Sequence, residues 1–392
     1  MATAADLRLL VDDAGSLLEA AAGATGGTVV TWQPRQVSHR PGRSTMVRYE
    51  AIVERSRGHA TLETFVAMVD GGSTPTVWRW PADPFLPGLA DALDRRRVAA
   101  LLDDLGVAGG ELRLRARAYR PGRRAVVEAT GRQGRLFLKV VRPDRVEALH
   151  DRHRLLARHL PVPESLGWSD TGVLVLAARP GHTLLEALRS AGEAAPPPDA
   201  LVALLDRLPQ ELLAVPPRRD LVGAADHHAA VIAATVPAAR RLVEDLVGDL
   251  RVARGEAGPV VPVHGDLYEA QVLVDGGRIT GLLDVDTAGP GLRLDDLANV
   301  CAHLSVLALV SDRPRSVERY RAAVLALAER QGPPPELHRR ITAAVLGLAT
   351  GPFRWLEDDW TGSTIRRLDL ARAWLDGAYA SASATAPTNC EW

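Results

Sequence analysis

Within residues 261–286 one run of sequence carries most of the side chains equipped for chemistry. An apolar stretch leads into His264-Gly265-Asp266, which sets the aspartate on a loop at a strand end. Val272-Leu-Val, the turn Asp275-Gly-Gly and Ile279 to Leu283 then read as a hairpin, because an Asp-Gly pair between apolar runs is a strong reversal signal. One strand is preceded by Asp266 and Gln271 and the other ends in Asp284. The hairpin can therefore gather a carboxylate, an amide oxygen and a second carboxylate. Phosphoryl transfer needs such a set: one carboxylate orients or takes the proton of an acceptor hydroxyl, while oxygen donors hold Mg²⁺ against phosphates. Asp286 is either a second metal ligand or a solvated carboxylate nearby, and the secondary role is adopted.

The same chemistry needs a cation for the phosphates, and a lysine on a rigid strand is a common solution. Of the 47 basic residues only Lys139 is a lysine. A chain that uses Arg wherever Arg serves has kept Lys at one place, inside the apolar run Leu136-Phe-Leu-Lys-Val-Val.

The elements that must position these residues follow from hydrophobic period and turn signals. Residues 111–141 read as an antiparallel meander turning at Arg120-Pro-Gly-Arg and Gly131-Arg-Gln-Gly, with Lys139 on its third strand. A helix over about 143–159 follows, then a strand at 173–178 ending in Arg179-Pro-Gly. From 183 onward the period is mainly helical, apart from 260–285. Upstream, a helix over 4–22 precedes strands at 28–32, 46–53 and 64–69, a Pro-rich connection at 80–88 and a helix over 89–105. His39-Arg-Pro-Gly-Arg and Tyr119-Arg-Pro-Gly-Arg form a weak repeat, read as two similar hairpin turns. No chemistry is assigned to residues 1–95.

His264-Gly-Asp266, an amide residue five positions after the aspartate, Leu283-Asp284 and Asp296-Leu297-Ala298 together resemble the aminoglycoside phosphotransferase and choline kinase-like superfamily. The resemblance covers about 110–380. It implies an α+β, bilobal protein-kinase-like fold with an antiparallel-sheet N-lobe, a mainly helical C-lobe and an N-terminal accessory α/β domain. The corresponding division is 1–95, 96–180 and 181–392. Carried over residue by residue, Asp266 is the catalytic base, and Gln271 and Asp284 hold Mg²⁺. Lys139 binds the α- and β-phosphates of ATP, with Glu147 or Asp151 as its acidic partner. The turn containing Gly122 covers the phosphates, and the hinge with Ala177 and Arg179 meets adenine. His264 shapes the loop. Most members carry Asn where this chain has Gln271; maltokinases and glucosamine kinases are similar in having Gln, which offers the same carbonyl oxygen. The implied activity is transfer of the γ-phosphate of ATP to a hydroxyl of a sugar, aminosugar or aminoglycoside. A nucleotide-binding pseudokinase and a metal-dependent hydrolase built on His264, Asp266, Asp284 and Asp286 are the rivals.

Composition agrees with such a chain. The net charge is −1 with 48 acidic residues against the 47 basic ones, which favours neither nucleic acid nor an anionic membrane as partner. Two cysteines, Cys301 and Cys390, fit neither a disulfide framework nor a zinc site and suit a reducing cytoplasm. The start lacks a basic, apolar leader, and no apolar run approaches a membrane span. A small-molecule hydroxyl compound is the expected partner, with the oligomeric state left open. Three further features have bland readings. Asp296 either caps a helix or braces the catalytic loop. His227-His228 lies on an exposed helix face, and Glu357-Asp358-Asp359 between Trp355 and Trp360 is a solvated helix turn or a contact for a polar substrate.

Overall fold

The computed structural model describes residues 4–377 except 56–57, 72–73, 108–109, 133, 191–193, 217–220 and 253–257. Gln133 and Cys390 thus lie outside the described residues. Two compact units are present, one of residues 1–154, 163–178 and 353–358, the other of 155–162, 179–352 and 359–392.

The first unit begins with α1 (Ala4–Val11) and α2 (Gly15–Gly23), two helices where one was expected. Leu7, Leu10, Ala14, Leu18 and Ala22 are buried at helical spacing on either side of the break, while the exposed pair Asp12-Asp13 occupies it. The helices accompany an antiparallel sheet of β1 (Gly27–Arg40), β2 (Ser44–Arg55), β3 (His59–Asp70) and β4 (Thr76–Arg79), in that order. β2 alternates strictly over Thr45, Val47, Tyr49, Ala51 and Val53, the period-2 pattern of a sheet with one buried face. The Tyr49 hydroxyl donates to the Leu10 carbonyl, fastening α1 to the sheet.

Next come α3 (Gly88–Leu93) and α4 (Arg95–Asp104). The expected single helix is split because Asp94 leaves the helical region and caps α4, accepting from the Arg96 and Arg97 amides; a side-chain oxygen there satisfies donors the first turn cannot pair. The meander is β5 (Arg113–Arg120), β6 (Arg124–Gly131) and β7 (Gly134–Val141). After α5 (Pro143–Ala157), the strands β8 (Ser165–Trp168) and β9 (Val173–Ala177) complete a five-stranded antiparallel sheet of order β5-β6-β7-β9-β8. One apolar core joins the upstream segment to this sheet: Val66, Trp78, Leu86 and Leu89 pack with Tyr119, Val127, Leu138 and Val175.

The second unit opens with β10 (His182–Thr183) and the helices α6 (Leu184–Arg189), α7 (Asp199–Leu205), α8 (Ala225–Thr235) and α9 (Arg240–Val252). The strands β11 (Val260–Val263), β12 (Val272–Asp275), β13 (Arg278–Leu282) and β14 (Gly289–Leu292) follow. They form two small sheets, β10-β12-β13 and β11-β14. α10 (Arg293–Val310), α11 (Pro314–Ala328), α12 (Pro334–Leu348), α13 (Gly351–Arg354) and α14 (Trp360–Leu375) end the described chain. α10 and α12 are buried on several faces, through Leu297, Cys301, Leu304, Leu337, Ile341 and Val345. A helix apolar over so much of its surface belongs in a core. Arg340, fully buried on α12, is paired with Asp295 and with Glu336 at 2.7 Å, the neutralisation a buried guanidinium needs. No helix among the described residues is long and apolar enough to cross a membrane.

Candidate active site

The residues of 261–286 converge as the hairpin reading requires. β11 pairs with β14 and delivers the chain to His264. β12 and β13 pair in antiparallel register, Val272 opposite Leu282. One position further along, the Leu283 N–H donates to the Gln271 carbonyl at 2.8 Å. Gln271 and Asp284 are therefore held at neighbouring positions at the open end of one hairpin. Asp284 has φ 54° and ψ 44°, the left-handed region that Asp visits at a cost on the order of 1 kcal/mol. This conformation turns the chain out of β13 into the 3₁₀ turn Val285–Thr287, which contains the half-buried Asp286.

The loop before Asp266 is built on His264 and Asp296. His264 is fully buried. Its Nε2 lies 2.9 Å from the Leu283 carbonyl, and its Nδ1 lies 3.3 Å from the Asp266 amide. These partners require an Nε2–H donor and an Nδ1 acceptor, so the neutral imidazole ties the loop to the end of β13. Asp296, 1% exposed, accepts from the His264 amide at 2.7 Å and the Gly265 amide at 2.8 Å. Its role is bracing, not capping. Burial raises its carboxyl above the ordinary range, opposed by the hydrogen bonds from the two amides. Thr287 Oγ1 donates to the His264 carbonyl at 2.8 Å. Asn299, which the sequence reading missed, donates to the Leu267 carbonyl at 2.9 Å from one turn beyond Asp296; the Asp296-to-Asn299 spacing was its available signal. Gly265 has φ 80°, and a Cβ there would meet the Thr287 carbonyl oxygen at 2.8 Å, so the close approach of two backbones requires glycine.

Between Asp266 and Gln271 lies a second group. Tyr268 stacks on His303 of α10, ring centroids 4.1 Å apart, and Glu269 Oε2 approaches His303 Nδ1 at 4.0 Å. Burial pushes Glu269 up to about 7, with Arg189 opposing, and pushes His303 down to about 4. Each group favours its neutral form, so the approach is not a strong ion pair at neutral pH.

The remaining expected residues fall as follows. Lys139 lies on β7 between Val126 of β6 and Leu174 of β9, and is 6% exposed. Glu147 and Asp151 are both on the exposed side of α5, whose buried side carries Val146, Leu149 and His153. Gly122 sits in the β5–β6 turn with φ 65°. Ala177 ends β9 and gives its amide to the Glu164 carbonyl at 2.9 Å. The Arg179 guanidinium donates to the Thr280 carbonyl on β13 at 3.0 Å. Asp266, Gln271, Asp284 and Arg179 thus belong to the second unit, and Lys139, Glu147, Gly122 and Ala177 to the first.

An amide oxygen and a carboxylate are hard oxygen donors of the type Mg²⁺ takes, so Gln271 and Asp284 fit that ion in kind. Among the described residues no three His, Cys, Asp or Glu side chains gather as a metal-holding group. His227 is exposed on α8, its ring 5.7 Å from that of His228. Asp359 caps α14, accepting from the Gly362 amide.

Residues 115–333 match the phosphotransferase enzyme family APH. Among solved structures the chain is similar to a choline/ethanolamine kinase family protein from Mesorhizobium loti, with 19% identity over 74% of this chain and 96% of that one, at a TM-score of 0.51. It is also similar to a thermostable mutant of the aminoglycoside phosphotransferase APH(4)-Ia, with 17% identity, coverage of 71% and 98%, and a TM-score of 0.51. A GDP complex of an aminoglycoside 2'-phosphotransferase-IIIa mutant follows at 14% identity, coverage of 73% and 99%, and a TM-score of 0.50. Among curated proteins none matches the chain. At these identities the structural likeness bears on the fold, which is α+β and protein-kinase-like.

Proposed function

The chain belongs to the phosphotransferase enzyme family, and we propose that it carries the γ-phosphate of ATP to a hydroxyl of a sugar, aminosugar or aminoglycoside. A small-molecule phosphotransferase is what the family gives; the donor, the acceptor and the residue roles are our reading. One observation carries it: Asp266 follows a loop braced by His264 and Asp296, and the same hairpin end holds Gln271 beside Asp284.

In this reading Asp266 accepts the acceptor hydroxyl's proton as that oxygen bonds to the γ-phosphorus and the bond to the ADP oxygen breaks. The products are a phosphate ester and ADP. Gln271 and Asp284 would hold Mg²⁺, which when bound neutralises phosphate charge. Lys139 meets the α- and β-phosphates, fixed in direction by strand neighbours on both sides. The turn at Gly122 covers the phosphates. The Ala177 amide is engaged by Glu164, so adenine would meet the hinge through the Ala177 carbonyl or at Arg179. Glu147 and Asp151 remain the alternatives for pairing with Lys139. Residues 1–95 are accessory to an N-lobe of 96–180 and a C-lobe of 181–392. Gln271 in place of Asn aligns the acceptor with sugars and aminosugars.

The test is ATP consumption with a panel of sugars, aminoglycosides and amino alcohols, using wild type and Asp266→Ala. One acceptor should be phosphorylated, with a loss of about 10²–10⁴-fold in the variant, the usual contribution of a positioned base. Nucleotide binding with no acceptor phosphorylated would mean a pseudokinase. Acceptor-independent activity without ATP would mean the hydrolase.

A further inference from the structure

Asp83 lies in the Pro-rich connection before α3, and is 3% exposed although it carries a carboxyl group. Its Oδ2 accepts from the Gly122 amide at 2.7 Å and from the Tyr119 hydroxyl at 2.9 Å, while Oδ1 accepts from the Phe85 amide at 2.9 Å. Trp78 Nε1–H donates in turn to the Tyr119 hydroxyl at 3.1 Å. The carboxylate thus reaches across 39 residues of sequence into the turn Arg120–Arg123. Other groups close around that turn. Arg142 Nε donates to the Gly122 carbonyl at 3.3 Å, and its guanidinium lies 5.0 Å from the centre of the Phe85 ring. A Cβ on Gly122 would meet Met46 and Phe85 at 3.2 Å. A buried carboxylate costs several kcal/mol unless satisfied, so three donors on Asp83 mark a built feature.

The turn has spent its own backbone donors. Pro121 has no N–H, the Gly122 N–H goes to Asp83, and the Arg123 N–H goes to the Arg120 carbonyl at 3.0 Å. A glycine-rich loop that cradles phosphates does so with free amides; here the amides of Gly122 and Arg123 are both engaged within the protein. What the turn offers instead is guanidinium groups. Arg123 is exposed and has Arg40, Arg120, Arg124 and Arg354 as like-charged neighbours. Arginine forks match phosphate oxygens.

We propose that Asp83 is a positioning residue, which fixes the turn Arg120–Arg123 so that arginine side chains rather than backbone amides grip the nucleotide's phosphates. This rests on the phosphotransferase reading, and it gives the segment before residue 96 a part in nucleotide binding.

Calorimetric binding of ATP, ADP and adenosine to the full chain tests it. Asp83→Asn should weaken ATP and ADP by about tenfold, the scale of one charged hydrogen bond, and adenosine by less than twofold. The sign is diagnostic. Removing a negative charge beside an arginine cluster, with no change of geometry, would strengthen polyphosphate binding, and general damage would weaken adenosine equally. Arg123→Met should reduce ATP binding by about tenfold with adenosine unchanged. Where Asp83→Asn does not fold, Tyr119→Phe decides: it removes one donor, keeps the charge, and should weaken ATP roughly threefold against adenosine. An unchanged ATP-to-adenosine ratio in these variants overturns the proposal while leaving the phosphotransferase reading intact. Wild-type protein that binds no ATP overturns both.

Discussion

Asp296→Ala tests whether the loop before Asp266 is held by a single buried carboxylate. The side chain is 1% exposed and takes the amides of His264 and Gly265 at 2.7 and 2.8 Å. Truncation leaves two donors without a partner, each worth about 1–3 kcal/mol when buried. The two are not equal. His264 is fully buried, so water does not readily reach its amide, whereas Gly265 is exposed and its amide can recover a water. Loss of a buried carboxylate also removes a desolvation cost, which is real here because burial raises the Asp296 carboxyl. Setting one full penalty and one partial penalty against that relief gives a net loss of about 2–3 kcal/mol. Urea unfolding followed by circular dichroism at pH 7 reads this as a lower midpoint at unchanged slope. Asp296→Asn, which keeps one acceptor, should fall between. Turnover should drop more than stability accounts for, since Asp266 follows the two released amides directly. A loss under about 1 kcal/mol with wild-type turnover would show that the hydrogen bonds of His264 to Leu283 and of Thr287 to His264 suffice, and the bracing argument would be wrong.

Other expectations follow from single groups. His303 is held down to about 4 by burial, so its folded pKa is depressed. Its contribution is present above the unfolded value near 6.5 and is lost as pH falls from about 6.5 to 4, by at most on the order of 3 kcal/mol because 19% of the side chain still meets water. Glu269, pushed up to about 7, works oppositely, losing stability as pH rises from about 4.5 towards 7. The wild-type minus His303→Phe difference isolates the histidine while keeping a ring on Tyr268; a pH-independent difference would contradict its burial. Gly265→Ala forces either the left-handed backbone or the 2.8 Å approach to Thr287 to give way. A loss of about 2 kcal/mol or more in thermal unfolding should accompany loss of turnover, and a fully active variant would refute the need for glycine. Cys301 is fully buried and its thiol is pushed up to about 12. Maleimide should leave it unlabelled in the folded protein, as peptide mass analysis can establish, whereas labelling within minutes would place it at a surface.

How much of this was readable before the structure depended on how far each residue's partners lie along the chain. The hairpin that carries Gln271 and Asp284 announces itself because its turn, both strands and its register sit within fifteen or so residues, so local rules suffice. The lysine strand was legible for the same reason, its meander being sequential. Four-residue strands such as Thr76–Arg79 and Ser165–Trp168 carry too few alternations to announce a period, and exist because neighbouring strands supply their ladders. Asp296 was readable as either cap or brace, since a carboxylate in a helix's first turn suits both; only the approach of a loop 31 residues upstream decides. Asp83 lies furthest from local rules. Its donors are two residues away at Phe85, then 36 at Tyr119 and 39 at Gly122, and Pro-rich surroundings mark it as a connection. Two Arg-Pro-Gly-Arg turns of nearly identical sequence make the point directly. Nothing in either tetrapeptide tells which one a distant carboxylate will hold. Which of the two turns is held by a carboxylate is therefore a property of the packed unit, and Asp83→Asn should release the turn at Gly122 while leaving the turn at Gly42 as it is.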